Sequence, residues 1–260
     1  MPVMDEFREE REALKHGTPK EKFQYFMDYY KWYVIVGIIV ICVICSIVHQ
    51  VLTQKKPAFY ACLLNSTTYD YPENAGYQAG LFEDRLGIDK DKFEVIFDTS
   101  IMTPDVAGAN PNAAQKLVVY IAAAELDTIV TADEYLPDYA YQNDFKDLRD
   151  FLTPEQFETY KDFFYYIDGE VVKEVAEASS NLNLEYTPVY PDPRIPEAMS
   201  DPIPVAIYLP EDCALKKEYY FGEGDIVVSV LINTTRPEAA REFIDFLFEE
   251  QPAAQAENVG

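Results

Sequence analysis

The segment Tyr33–Leu52, with the sequence YVIVGIIVICVICSIVHQVL, decides how the whole chain is organised. No lysine, arginine, aspartate or glutamate occurs between Lys31 and Lys55. About 20 residues of α-helix cross the roughly 30 Å hydrocarbon core of a bilayer, whereas buried helices of soluble proteins seldom run this long without a charge. The sequence therefore predicts a transmembrane helix over residues 32–54.

The flanks of this segment predict its interface and its orientation. Aromatic residues crowd the N-terminal flank, as they do at a membrane interface. They are Tyr25, Phe26, Tyr29, Tyr30, Trp32 and Tyr33. Within about 20 residues of the span, four lysines lie on the N-terminal side and only two on the other. The lysines are Lys15, Lys20, Lys22 and Lys31, against Lys55 and Lys56. Because cytoplasmic flanks carry the excess of basic residues, we expect a cytoplasmic N-terminus.

A cleaved signal peptide fits this N-terminal region less well than an uncleaved anchor. The apolar segment is long for a signal peptide, and seven acidic residues precede it. Ser46–Gln50 also lacks the pattern of small residues at which signal peptides are cleaved. We therefore predict a single-pass protein of the cell membrane with an extracytoplasmic C-terminal domain.

The charge of the chain is divided unequally by the span. Residues 1–56 hold eight basic and seven acidic residues, whereas residues 57–260 hold 13 basic and 39 acidic ones. The second region therefore carries a formal charge of −26. Such a domain repels nucleic acid and anionic lipid headgroups. Solubility at a cell surface explains the acidity, and recognition of a cation is the alternative.

Histidine and cysteine limit the chemistry available to residues 57–260. Both histidines, His16 and His49, lie outside this region, so it can hold neither a Ser–His–Asp site nor a histidine-ligated zinc. Cys62 and Cys213 could pair in an oxidising compartment, although Cys62 lies in an apolar run where a buried free thiol is usual. No glycine-rich phosphate loop occurs, and we predict no cofactor and no metal site.

Strand and helix patterns alternate three times after the span. The predicted strands are Ala58–Leu64, Phe93–Phe97 and Thr128–Ala132, and the helices between them are Gly76–Leu86 and Asn112–Glu125. The second of these helices is apolar on most sides, which predicts that it is well buried. This alternation is typical of an α/β domain with a parallel or mixed sheet, which we place at residues 57–250.

The remaining segments complete this prediction. We expect a helix over Pro154–Tyr166, two further strands at Val205–Leu209 and Ile226–Ile232, and a closing amphipathic helix over Asn233–Glu250. Residues 1–31 are predicted to be a cytoplasmic helical tail, with one helix over residues 4–15 and a fresh helix start at Thr18 and Pro19. Residues 251–260 are predicted to be disordered.

Two segments resemble the substrate-binding proteins of bacterial ABC importers, which have the type 2 periplasmic-binding-protein fold. One is Val227–Phe248, where a strand leads into Asn-x-x-x-Pro-Glu-Ala-Ala-x-x-Phe-x-x-Phe-Leu. The other is Leu126–Leu152, where a third strand, a short helix and a turn follow one another. The matching turn residues are Asn143, Phe145, Asp147 and Leu148. The resemblance implies a shortened domain of this kind, because only about 204 residues follow the span whereas the family's two lobes need more. The predicted membrane helix departs from the family, whose members usually have a lipid anchor or a cleaved signal.

Polar residues follow each of the three predicted parallel strands. Because the carboxyl ends of parallel strands meet at one edge of a sheet, where α/β folds bind ligands, we expect these residues to lie together. They are Asn65, Ser66, Asp98, Thr99, Ser100, Asp133 and Glu134. Each is also a common turn former or helix cap, so a structural role is the alternative. We call them the strand-end residues.

Three classes of function remain open. The resemblance implies a domain that binds a small solute or a cell-surface partner without catalysis. The missing length of a second lobe favours an alternative, a structural or interaction protein of the cell envelope whose ligand cleft is lost. An enzyme would have to rely on carboxylates, and no pair of them stands out in the sequence.

The predicted topology can be tested on intact cells. Protease added from outside should digest residues 57–260 and leave the N-terminal tail intact until the membrane is disrupted. An alkaline wash should leave the protein in the membrane fraction. Protection of residues 57–260 in intact cells, or release by the wash, would contradict the predicted anchor.

Overall fold

The computed structural model describes residues 18–69, 76–103, 112–181 and 186–249. The chain divides into two compact units, Met1–Gln54 and Lys55–Gly260. The helix predicted over residues 4–15 and the disordered tail predicted over residues 251–260 lie outside the described residues.

Helix α1 is continuous from Pro19 to Thr53, so it begins where the sequence predicts a helix start. Within it, Lys31–Gln50 has a mean hydropathy of 2.6, and no part of this segment is buried inside the protein. Trp32 and Tyr33 at its start are exposed. By length and composition α1 can serve as a membrane anchor or a signal sequence.

The second unit is built on a six-stranded sheet with the strand order β3-β1-β4-β8-β6-β5. The strands are β1 (Lys56–Leu63), β3 (Phe93–Asp98), β4 (Thr128–Ala132), β5 (Phe164–Asp168), β6 (Pro202–Tyr208) and β8 (Ile226–Val230). Strand β1 pairs in parallel with β3 and β4, whereas β8, β6 and β5 join by antiparallel pairing. The predicted α/β class and mixed sheet are therefore confirmed. A separate antiparallel pair joins β2 (Thr67–Thr68) to β7 (Tyr219–Tyr220).

Eight helices accompany these strands in the described part of the second unit. They are α2 (Tyr77–Leu86), α3 (Ala113–Ala122), α4 (Pro137–Ala140), α5 (Leu148–Phe151), α6 (Pro154–Tyr160), α7 (Gly169–Ser180), α8 (Leu215–Glu218) and α9 (Pro237–Phe248). Short 3₁₀ turns lie at Asp133–Tyr135, Lys161–Phe163 and Pro196–Ala198.

Each face of the large sheet has its own hydrophobic core. On one face Phe59 of β1 packs against Phe82 of α2 and Phe243 of α9, with ring centroids 5.1 and 4.7 Å apart. On the other face Ile129 of β4 belongs to a cluster with Leu117 of α3. Burying one such side chain contributes about 1.5–3 kcal/mol, so both layers of helices are held by packing on the sheet.

Two details of the predicted secondary structure are wrong. The helix predicted over Pro154–Tyr166 ends at Tyr160, and Phe164–Asp168 is strand β5, because pairing with β6 overrides the local helical pattern. Helix α3 is not buried on most sides, since Val118 is 63% exposed and Val119 is 60% exposed. A helix that lies on one face of a sheet buries only one stripe of its surface.

The two cysteines of the second unit are free thiols and are both buried. Cys62 belongs to one core cluster and Cys213 to the other, so the sheet separates them. Burial raises the pKa of the Cys213 thiol to about 11 and that of Cys62 further still. Both therefore remain protonated and unreactive at neutral pH.

One buried ion pair joins distant parts of the second unit. The Asp127 side chain is fully buried and lies 2.8 Å from Nε of Arg236. Asp127 also accepts hydrogen bonds from the Tyr60 N–H at 2.9 Å and from the Thr234 hydroxyl. The remaining guanidinium nitrogens of Arg236 donate to the carbonyls of Pro57 and Glu125. We call this set of contacts the Asp127–Arg236 clamp.

On the free edge of each outer strand, β3 and β5, a backbone N–H donates to an acceptor outside the sheet. The Val95 N–H of β3 donates to the Glu83 carboxylate at 3.1 Å. At the opposite side, the Tyr166 N–H of β5 donates to the Pro193 carbonyl at 3.0 Å. Segment 186–195, which carries Pro193, thus covers part of the β5 edge.

The clamp predicts a large effect of Arg236→Ala on stability. The substitution leaves the Asp127 carboxylate buried without its partner, which costs about 3–5 kcal/mol. Urea unfolding of the purified protein, followed by circular dichroism, measures this loss. Lys173→Ala is the control, because Lys173 forms an exposed ion pair with Glu170 and its loss should leave the midpoint unchanged. An unchanged midpoint for Arg236→Ala would contradict the role of the clamp.

Candidate functional site

The strand-end residues lie together at the carboxyl ends of β1, β3 and β4, and Asp98 is itself the last residue of β3. This is the edge of the sheet at which the sequence places them. They fall into two groups. After β1, Asn65 bonds to the loop that follows β3, whereas the residues after β4 lie beside the start of β8.

The loop after β1 is closed by its own polar side chains. Asn65 has a left-handed backbone with φ of 58°, a conformation that asparagine tolerates better than most residues. Its Oδ1 accepts the Thr103 N–H at 2.6 Å, and its Nδ2 donates to the Thr103 hydroxyl at 3.0 Å. The Ser66 hydroxyl donates to the Leu63 carbonyl at 2.6 Å. Both side chains therefore shape the turn and have few groups left for a ligand.

The loop after β3 is closed around Asp98. The Asp98 carboxylate accepts hydrogen bonds from the Tyr60 hydroxyl at 2.8 Å, the Lys116 ammonium at 2.9 Å and the Ser100 N–H at 2.7 Å. Burial opposes ionisation of Asp98, but the bonds from Ser100 and Lys116 outweigh it and lower the pKa. Thr99 lies between Asp98 and Ser100 in the sequence and is half-buried.

Lys116 also contacts the Ser100 hydroxyl, with Nζ and Oγ 2.6 Å apart. A serine beside a lysine can act as a nucleophile and its base. Here the same nitrogen is paired with Asp98, and an ammonium in an ion pair has no lone pair to accept a proton. The contact therefore serves to hold the loop.

The polar residues at the end of β4 have fewer hydrogen-bond partners than those at the ends of β1 and β3. The Asp133 N–H donates to the Asp225 carbonyl at 2.8 Å, so the two aspartates lie side by side. Burial, and then the charge of Asp225, raise the pKa of Asp133. Arg194 pairs with Asp225, and its guanidinium carbon lies 3.8 Å from the centre of the Tyr208 ring. Glu134 beside them is exposed.

Tyr208 has the one buried tyrosine hydroxyl without a hydrogen-bond partner in the described ranges. The side chain is only 7% exposed, and burial raises its pKa to about 12. A buried polar group without a partner is costly, and a small polar molecule at this point could satisfy it.

Sequence reasoning missed Arg194, Tyr208 and Asp225 for physical reasons. The strand-end rule looks for residues that follow a parallel strand. Asp225 precedes β8, and it reaches the same edge because β8 runs antiparallel to β4. Arg194 lies in an irregular proline-rich segment, whose position depends on contacts rather than on local pattern. A charged residue among prolines was the only available signal.

Two cavities lie away from this edge. One, of about 750 Å³, lies between α6 and α9. The other, of about 500 Å³, adjoins it and shares Arg241 in its lining. None of the seven strand-end residues lines either cavity. Among the described residues, no cluster of histidine, cysteine, aspartate or glutamate could hold a metal ion.

Comparisons of the chain with protein-family models, curated proteins and solved structures find no match. The observed structure is a mixed α/β sheet with one N-terminal apolar helix. The likeness to substrate-binding proteins therefore rests on the two sequence segments alone and stays a prediction.

Asp98 and Asp133 are expected to affect stability with opposite signs. A lowered pKa makes ionised Asp98 stabilising above the unfolded value of about 3.9, and this contribution is lost as pH falls. A raised pKa makes ionised Asp133 destabilising at neutral pH. Hence Asp98→Asn should lower the urea midpoint at about pH 7, and Asp133→Asn should raise it.

Both differences should shrink at about pH 3, where the carboxyl groups become protonated in the unfolded chain. The measurement is a urea titration of each variant at both pH values, with the unaltered protein in parallel. If both variants shift the midpoint in the same direction at neutral pH, the assigned environments are incorrect.

Proposed function

We propose that this chain is a single-pass protein of the cell membrane whose acidic domain, residues 57–260, binds another protein of the cell envelope. The length and apolar composition of α1 support a membrane anchor. The excess of lysine before the span supports a cytoplasmic N-terminus and an extracytoplasmic domain. The domain acts by binding and not by catalysis.

The observation that carries this proposal is that hydrogen bonds within the protein already occupy polar side chains at the carboxyl ends of β1 and β3. The Asn65 side chain after β1 bonds to Thr103, and the Asp98 carboxylate at the end of β3 accepts hydrogen bonds from three donors. A solute site needs polar groups that converge on open space. Most of the positions that would supply them here are already used, which favours a protein partner over a small solute.

The organisation of the second unit also favours this choice. The substrate-binding proteins that the sequence resembles hold a ligand between two lobes. Here Lys55–Gly260 forms one compact unit around one large sheet. One compact unit supports a surface for a protein partner more than a cleft between two lobes.

The charge of the domain indicates the kind of partner. A formal charge of −26 attracts basic surfaces and repels nucleic acid and anionic headgroups. The partner we propose is therefore a protein with a basic surface.

A small solute remains a second candidate because of Tyr208. Its buried hydroxyl lacks a partner, and Arg194, Asp133 and Asp225 lie around it. Such a site would suit a small molecule with both a hydrogen-bonding group and a positive charge, since two carboxylates face one guanidinium. Stabilisation by small amines or amino acids that is lost in Tyr208→Phe would favour this candidate.

Crosslinking in native membranes tests the main proposal. Treatment of membranes with a short amine-reactive crosslinker should convert the protein into one defined adduct at near-stoichiometric yield. In parallel, thermal unfolding of the purified protein with sugars, peptides, amino acids and metal ions should show no stabilisation. Absence of any defined adduct, together with stabilisation by one class of solute, would overturn the proposal.

A further inference from the structure

The larger cavity forms a groove between α6 and α9, which we call the α9 groove. Its volume is about 750 Å³, and Arg85 at the end of α2 closes one side. It lies on the sheet face opposite to that of Tyr208, because α9 packs in the core cluster of Phe59. The α9 groove is therefore separate from the strand-end residues and from Tyr208.

Aromatic rings form the floor of the α9 groove. The ring centroid of Phe248 lies 4.5 Å from that of Tyr160 and 5.5 Å from that of Phe163. The Tyr160 hydroxyl is fixed by a 2.7 Å bond to Asp245. Phe163 remains 43% exposed, which is high for a phenylalanine in a well-packed domain. An apolar or cationic group of a partner could cover it.

Carboxylates form the rim. Three acidic residues of α9 recur at helical spacing and so lie along one side of the helix, and a fourth is its C-cap residue. They are Glu238, Glu242, Asp245 and Glu249. Arg85 pairs with Glu242 and Glu249, and Arg241 pairs with Glu238. With Glu155 and Asp245 also counted, the groove lining keeps a formal charge of −3. The opposite side of α9 carries Phe243 and Leu247 and is buried in the core.

The adjoining cavity extends this surface toward the start of α9. Its lining includes Ile232, which is 45% exposed, and Phe151 and Pro237. Arg241 contributes to both cavities and lies over the Phe151 ring at 5.2 Å. The two together follow the whole of α9, which at 12 residues is about 18 Å long.

We propose that the α9 groove binds a basic segment of the partner protein, one with lysine or arginine next to apolar residues. The aliphatic stems of such residues pack on Phe163. Their charged heads meet Glu238, Glu242 and Glu249, which stay at least half exposed although they pair with Arg241 and Arg85. This inference rests on the proposed function and adds to it the site and the chemistry of the partner.

Charge decides among the possible occupants. Residues 250–260 follow α9 directly, but they contain two glutamates and no basic residue, so they do not complement a groove of charge −3. A second copy of the domain carries a charge of −26 and is repelled for the same reason. A basic segment of another protein is complementary both to the rim and to the aromatic floor.

The probe for a direct test is a synthetic amphipathic peptide of lysine and leucine, about 12 residues long to match α9. Its binding to the full-length protein in detergent is measured by fluorescence anisotropy at about 150 mM salt. Thr159→Arg places a positive charge in the groove from an exposed position. It should weaken binding about tenfold, whereas Ser180→Arg, exposed and outside the groove, should weaken it less than twofold.

A second pair of variants removes charge. Glu238→Gln, Glu242→Gln and Glu249→Gln combined should weaken binding about tenfold. The matched control combines Glu177→Gln, Glu197→Gln and Glu211→Gln, three exposed acids outside the groove. Phe163→Ala should weaken binding without any change in charge. Equal weakening by the groove set and the control set would show that general acidity attracts the peptide, and it would overturn the proposal.

Two further measurements separate the remaining outcomes. Removal of residues 250–260 should leave peptide affinity unchanged, and an increase would identify that segment as the occupant and overturn the proposal. In native membranes, the groove triple variant should lose the crosslinked adduct and the control triple should keep it. An adduct that survives in the groove variant would refute the α9 groove as the interface and leave the proposed envelope partner standing.

Discussion

The guanidinium of Arg236 joins segments that lie far apart in the sequence of the second unit. It pairs with the buried Asp127 just before β4, and it donates to carbonyls at the start of β1 and after α3. Asp127 in turn holds the β1 backbone through the Tyr60 N–H. Because a buried charge is tolerated only when it is paired, these contacts must form together. They fix the parallel half of the sheet relative to the antiparallel half.

The parallel half was predictable because its signals are local. Strands β1, β3 and β4 are short apolar runs, and the helices between them have clear periodicity. The class of fold and one sheet edge rich in polar residues follow from these patterns. Strand β5 was not found, because Phe164–Asp168 continues an aromatic stretch that also suits a helix. Only its pairing with β6 decides between the two conformations.

The location of the strand-end residues was predictable, but their hydrogen-bond partners were not. Asn65, Asp98 and Asp133 do lie at the predicted edge, yet the hydrogen bonds that occupy Asn65 and Asp98 come from Thr103, Tyr60 and Lys116. Such partners are chosen by tertiary contacts, which a single sequence does not display. The α9 groove was not predictable from the sequence for a different reason. The acidic side of an amphipathic helix looks the same in sequence whether it faces plain solvent or borders a cavity.

In the membrane-anchored protein that we propose, the hydrogen bonds on the outer strands β3 and β5 have a consequence. Confinement to two dimensions raises the local concentration of copies, and an unpaired strand is a template on which another chain can add. The Glu83 carboxylate and the Pro193 carbonyl occupy one backbone donor at each side of the sheet. These bonds disfavour strand addition between neighbouring copies, so a high local concentration does not by itself lead to aggregation.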